Sequence, residues 1–212
     1  TSTILFLKAT EEEFNASEGS SAPGFSLLKS TLEKNGHSVL VSTTGIDDVS
    51  LENVDIVIAG VPEYRRAALK RSRVAEFLAQ GGGVLVMTNA ATMLNPPPCL
   101  NETMALAGIK FQEYLNTPDF VTRFYPHWIT GNVSRIEPPK IVSLQLSAGS
   151  MLLAETSEPR EPFMACASIG QGRLVAIGDE HWLRDDFLLQ ADHLTLLQNI
   201  ITWLGKQNPL EI

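Results

Sequence analysis

The chain has 212 residues, 16 Lys and Arg against 24 Asp and Glu, and only two cysteines. That length suits one domain of ordinary to large size, or two small ones at most, and buries a core without covalent staples. Two cysteines exclude a disulfide scaffold, the net charge of −8 argues against nucleic acid as a partner, and no apolar run approaches the ~18 residues of a membrane span.

The chain opens at Thr1 without a basic segment leading into an apolar one, so no signal peptide is expected. A start at Thr1 reads as processing or as excision from something longer, which leaves the compartment open. Thr3 to Leu7 is a short apolar run of strand formers and reads as a buried strand. A polar loop over 9–24 follows. Phe25, Leu28 and Leu32 then recur at helical spacing, and Asn35-Gly36 supplies the stop. Ser38 to Ser42 and Asp55 to Ala59 read as the second and third strands. The spacing predicts a helix from about Ala67 to Gln80, with Val74, Phe77 and Leu78 inward. Gly81-Gly82-Gly83 ends it, and Val84 to Met87 is a fourth strand. Short all-apolar strands alternating with helices imply a three-layer, doubly wound, mostly parallel α/β sheet of flavodoxin-like type.

Beyond residue 90 the pattern changes. Pro96-Pro97-Pro98 is a stiff break, and Leu100 to Ala107 reads as a short helix stopped at Gly108. Residues 108–150 read as a β-rich insertion. Leu152 to Glu155 is a further strand. Phe163 to Ile169 and Arg173 to Ile177, joined by Gly170-Gln171-Gly172, read as a hairpin. His193 to Leu204 is the final helix, with Leu194, Leu197, Ile201 and Leu204 as its buried stripe. No internal repeat or linker divides the chain, so 1–212 reads as a single domain.

Three passages together resemble the class I glutamine amidotransferase-like superfamily. They are Gly81-Gly82-Gly83-Val84-Leu85-Val86, then Tyr125-Pro126-His127-Trp128-Ile129-Thr130-Gly131-Asn132-Val133, and Gly170-Gln171-Gly172-Arg173-Leu174-Val175-Ala176-Ile177-Gly178-Asp179 followed by a helix with Asn199 and Trp203-Leu204. The second is similar to a segment common in the non-enzymatic branches. The likeness points to the non-catalytic branch that holds the GIFT domain of intraflagellar transport, an oligosaccharyltransferase subunit and proteins of gliding-type transporters. It implies a binding or assembly module. Enzymes of this superfamily carry a nucleophilic cysteine on the turn after the strand matching Val84 to Met87. Here that turn reads Thr88-Asn89-Ala90-Ala91, with no thiol and no nucleophile elbow. No catalytic residue is therefore assigned.

Asp179-Glu180-His181, with Arg184-Asp185-Asp186 behind it, lies at the carboxyl end of a predicted strand, where open α/β sheets bind ligands. The functional reading gives Asp179, Glu180 and His181 a polar ligand or a cation. The plain reading is a loop in which Asp185 and Asp186 favour a helix N-terminus and Asp192 caps the final helix. No second His stands at ligand spacing, so no metal or other cofactor is assigned. Thr88 and Asn89 end the fourth strand at the same edge, and Thr10 to Glu13 and Gly60 to Glu63 lead to it. Glu63 joins the ligand candidates on that ground. The Gly- and Ser-bearing first loop matches no phosphate cradle.

Arg65, Arg66, Lys70, Arg71 and Arg73 place five of the 16 basic residues within nine positions. The other 11 face 24 acids, a background of −13. Arg66, Lys70 and Arg73 share a helix face and read either as a docking stripe for an acidic partner or anionic surface, or as a solvated face. His127 reads as a loop packing residue or a proton shuttle. Cys166 reads as a small buried apolar group and Cys99 as a loop residue, with their pairing open. Asn15, Asn101 and Asn132 head sequons, which do not establish secretion. The expected function is recognition of a protein partner or a small polar or glycan ligand at the strand carboxyl edge. The alternatives are a hydrolase or cation-assisted enzyme using Asp179, Glu180 or His181, and a ligand sensor.

Overall fold

The computed structural model describes residues 1–7, 24–42, 45–60, 69–89, 93, 98–115 and 120–206. Ten strands are present among them: β1 (Thr3–Leu7), β2 (Ser38–Ser42), β3 (Ile56–Gly60), β4 (Gly83–Met87), β5 (Ile109–Tyr114), β6 (Arg123–Phe124), β7 (Val142–Leu146), β8 (Met151–Glu155), β9 (Pro162–Ile169) and β10 (Gly172–Ile177). The helices are α1 (Ser26–Lys34), α2 (Arg71–Ala79), α3 (Pro98–Met104) and α4 (His193–Leu204). The main sheet runs β2-β1-β3-β4-β10-β9-β8-β6. It is parallel from β2 to β10 and antiparallel beyond. β5 and β7 pair as a separate antiparallel sheet within the expected insertion.

Each central strand feeds two cores because successive side chains face opposite ways. Ile4, Phe6, Ile56, Ile58, Leu85 and Met87 meet Leu28 and Leu32 of α1 and Leu197 and Ile201 of α4. Leu5, Leu7, Val57, Val84 and Val86 meet Val74 and Leu78 of α2, Met104 of α3, and Phe111 of the second sheet. This double coverage explains the unbroken apolar strands. Among the described residues, no helix is long and apolar enough to cross a membrane.

Two expectations need correction. The buried stripe of α4 is His193, Leu196, Leu197, Ile200, Ile201, Trp203 and Leu204, while Leu194 is only partly buried. The helix lies in a deep trough and buries more than one narrow stripe. Leu100 to Ala107 is α3 followed by a 3-10 turn over Ala105–Ala107, stopped where Gly108 takes a φ of +66°. The α2 segment expected before Leu69 lies outside the described residues.

The second sheet meets the carboxyl end of β10 at a glycine. The Val142 N–H donates to the Gly178 carbonyl at 2.7 Å, and a Cβ on Gly178 would lie 1.8 Å from the Val142 oxygen. Gly178 follows β10 directly, so this contact sets the second sheet against the carboxyl edge. Gly178→Ala is expected to destabilise the chain by about 3 kcal/mol or more, because backbone rather than a yielding side chain blocks the methyl. Urea unfolding of the variant against the wild type measures the cost of the lost approach.

Candidate functional site

The neighbouring parallel strands β4 and β10 end in register, Met87 beside Ile177. Their continuations bring the sequence candidates together. Thr88 and Asp179 are wholly buried, and Asn89 and Glu180 nearly so. The Asn89 Nδ2 donates to Glu180 Oε1 at 2.9 Å. Asp179 Oδ1 lies 2.6 Å from His181 Nδ1 and accepts the His181 N–H at 3.0 Å, while Oδ2 accepts the Lys140 N–H at 3.2 Å. The His181 side chain keeps 17% exposure. Burial pushes the Asp179 carboxyl up, against the opposing hydrogen bonds of His181 and Lys140. Among the described residues, the buried Thr88 Oγ1 and Trp182 Nε1 have no hydrogen-bond partner.

The rest of the acidic loop is spent on fastening. Asp185 does not start the helix that follows it. Its carboxylate accepts the Leu27 N–H at 2.8 Å and the Ser26 hydroxyl at 2.7 Å, and its own N–H donates to the Gly24 carbonyl at 2.9 Å. It therefore caps α1, whose own N-cap residue, Phe25, has no side chain able to do so. Asp186 holds Arg184 at 2.9 Å. Asp192 sits at the N-cap of α4 but makes no side-chain cap there. Its Oδ2 instead accepts the N–H groups of Ser134 and Arg135 and the Ser134 hydroxyl. The hydrogen bonds from Ser134 and Arg135 hold its carboxyl below the ordinary aspartate value.

His193, fully buried at the start of α4, is a structural residue that the sequence reading did not single out. Its Nδ1 donates to the Phe187 carbonyl at 2.7 Å, and its Nε2 accepts the Glu137 N–H at 2.8 Å. Only the neutral ring satisfies both, and burial holds this imidazole below its ordinary value. Its signal was present in the sequence only as a histidine opening an apolar helix.

The other candidates lie elsewhere. Lys70 pairs with Asp47 at 3.5 Å, Arg73 with Glu76 at 3.1 Å, and Arg71 donates to the Glu102 carbonyl at 2.8 Å. Glu63, Arg65 and Arg66, like Thr10 to Glu13, lie outside the described residues. His127 packs edge-on to Trp203, with Nε2 3.9 Å from the Cys166 sulfur. Burial, and then Arg173, keep the His127 imidazole low, while burial pushes the Cys166 thiol up to about 12. This pair is thus neutral rather than an activated thiolate. Cys99 and Cys166 do not pair with each other. Among the described residues no three His, Cys, Asp or Glu side chains gather as a metal would require.

No protein-family model and no curated protein sequence matches the chain. Solved structures do match it. The mmIFT52 N-terminal domain is 18% identical, superposes at a TM-score of 0.76 and covers 95% of this chain and 97% of its own. The fold is GIFT-like. The cytoplasmic protein STM1381 from Salmonella typhimurium LT2 is 15% identical, with a TM-score of 0.68 and coverage of 95% and 99%. A beta-galactosidase from Rahnella sp. R3 is 19% identical, with a TM-score of 0.56, and the match covers 92% of this chain but 30% of that enzyme. At these identities the likeness establishes the fold.

Two outcomes follow from the loop. Asp185→Ala is expected to cost about 1–2 kcal/mol and to raise hydrogen exchange in the first turn of α1 selectively, since it removes the carboxylate that caps that helix. The second concerns pH. The unfolded His193 ring takes a proton below about pH 6.5 that the folded one refuses, so its contribution is complete above that value and is lost as pH falls. Urea unfolding between pH 7.5 and 5 reads a slope of up to ~1.4 kcal/mol per pH unit from this group, which His193→Asn removes.

Proposed function

We propose that the chain is a non-catalytic binding module whose recognition site is the carboxyl edge of β4 and β10, taking a protein partner or a small polar or glycan ligand. The observation that carries this reading is the end of β4. Thr88 stands where the enzymes of the resembled superfamily need a thiol, and among the described residues its buried hydroxyl has no partner. An unanswered hydrogen-bonding group in a buried site costs free energy in the empty protein and is recovered when a polar group binds. Beside it, Asn89 is held on Glu180 and His181 on Asp179, so the surrounding polar groups are fixed before any ligand arrives. The GIFT-like fold and the absence of a cysteine in the turn after β4 agree with recognition rather than turnover.

A second reading rests on the Asp179–His181 pair. A carboxylate on Nδ1 fixes the tautomer and leaves Nε2 as a base, which is the arrangement general-base enzymes use. It predicts turnover of a nitrophenyl ester or glycoside that His181→Ala abolishes. No turnover above the uncatalysed rate removes it.

Thr88→Val separates binding from architecture. The variant keeps shape and drops the orphan hydroxyl, so the free protein is expected to gain about 1 kcal/mol in urea unfolding. In NMR titrations with neutral monosaccharides, the wild-type resonances of Asn89, Asp179 and His181 are expected to move, and the variant to bind about tenfold more weakly. Sugar-induced changes confined to other surfaces would overturn the assignment of this edge.

A further inference from the structure

We infer that β2 is a homodimer interface, in which two copies of the chain join their main sheets by antiparallel pairing of this strand about a two-fold axis at Leu40. The inference stands on a different face from the carboxyl-edge reading and does not depend on it.

The two ends of the main sheet are built differently. At the far end β6 is two residues long. Arg123 of β6, Tyr125 and Arg160 all converge on the buried carboxylate of Glu155 in β8. A short strand edged with charge is how sheets avoid adding further strands. β2 has none of these protections. It is five residues long, pairs in register with β1 along its whole length, and carries no charge, proline or bulge. Among the described residues nothing pairs with its outer side.

The strand is self-complementary. Ser38-Val39-Leu40-Val41-Ser42 reads the same in both directions, which is what an isologous contact between antiparallel copies requires. Backbone geometry selects the same axis. The Ser38 N–H donates inward to the Ser2 carbonyl of the chain leading into β1. Backbone groups alternate along a strand, so Val39 and Val41 present their N–H and C=O groups outward. Antiparallel pairing about Leu40 sets each Val39 opposite the partner's Val41, and the two pairs exchange four hydrogen bonds. Leu40 meets its own copy between them, in the close non-hydrogen-bonded position. Leu40 is 48% exposed, one of the few large apolar side chains so open, while Val39 and Val41 point to the other face and pack on the α1 core.

Charge selects the same partner. Leu28 and Leu32 turn α1 to the core, and Leu27 on one flank also packs there, with its N–H on Asp185. The opposite flank, facing the β2 edge, carries Lys29 and Glu33, and neither has an ion-pair partner among the described residues. In the dimer the two α1 helices lie side by side and antiparallel. Lys29 of each then faces Glu33 of the other, which a parallel arrangement would forbid.

Sedimentation velocity on the full chain, from low micromolar to near millimolar, tests the interface. The expected result is a reversible dimer. Leu40→Lys should raise its dissociation constant tenfold or more at unchanged circular dichroism, because the position is half exposed in the single copy. Lys29→Glu should weaken the dimer, and adding Glu33→Lys should restore it. In a Cys99→Ser background, Leu40→Cys should oxidise to a covalent dimer while Val39→Cys, on the buried face, does not. A monomer at every concentration overturns the proposal. So does a dimer indifferent to Leu40→Lys, or one that Val39→Cys cross-links as readily as Leu40→Cys.

Discussion

Unpaired main-chain N–H groups at the carboxyl edge of the sheet are answered by the carboxylates of a single loop, and the arrangement of that edge depends on this. Asp179 takes the N–H groups of Lys140 and His181, Asp185 that of Leu27 at the start of α1, and Asp192 those of Ser134 and Arg135. Each bond is charge-assisted, and three of the five reach more than fifty residues away in sequence. The insertion, the first helix and the last helix are thereby held to one another through the segment between β10 and α4. Apolar side chains at Asp179 and Asp185 would leave the part-buried N–H groups of Leu27, Lys140 and His181 without these acceptors. Much of the acidity of this region is thus explained by architecture.

The parallel half of the sheet was legible because its determinants are local. Thr3–Leu7 and Ser38–Ser42 are bounded in the structure as in the sequence reading, and α4 begins and ends as expected, because apolar runs and Gly or Asn stops announce themselves within a few residues. The juxtaposition of Thr88, Asn89, Asp179, Glu180 and His181 was legible too, since strand ends in a parallel sheet share one edge. The partners chosen by the side chains were not. Asp185 and Asp192 have the composition of helix starters, yet each caps a distant segment, and nothing within a few residues of either signals it. His193 was hidden for the same reason, since its two hydrogen bonds come from Phe187 and Glu137.

The last helix is held at both ends by side chains that bond main-chain groups. At its start, neutral His193 bridges two backbone groups. At its end, buried Arg173 donates to the Trp203 carbonyl at 2.6 Å and stacks over the Trp203 ring, so a cation meets the negative end of the helix. Arg173 belongs to β10, the strand that also delivers Asp179. One strand therefore carries both the clamp on α4 and the centre of the candidate site.

The capping of α1 by Asp185 also bears on how the chain acquires its shape. The two residues nearest this contact, Ser26 and Asp185, are 159 positions apart. During synthesis the first β-α-β unit emerges long before the group that completes its helix, so the first turn of α1 lacks its Asp185 cap until that residue has left the ribosome. Closing so long a loop is a late entropic cost rather than a nucleating event. The amino-terminal third is therefore a segment that waits for its carboxyl-terminal counterpart, and an arrested or shortened nascent chain would expose the unfinished end of α1.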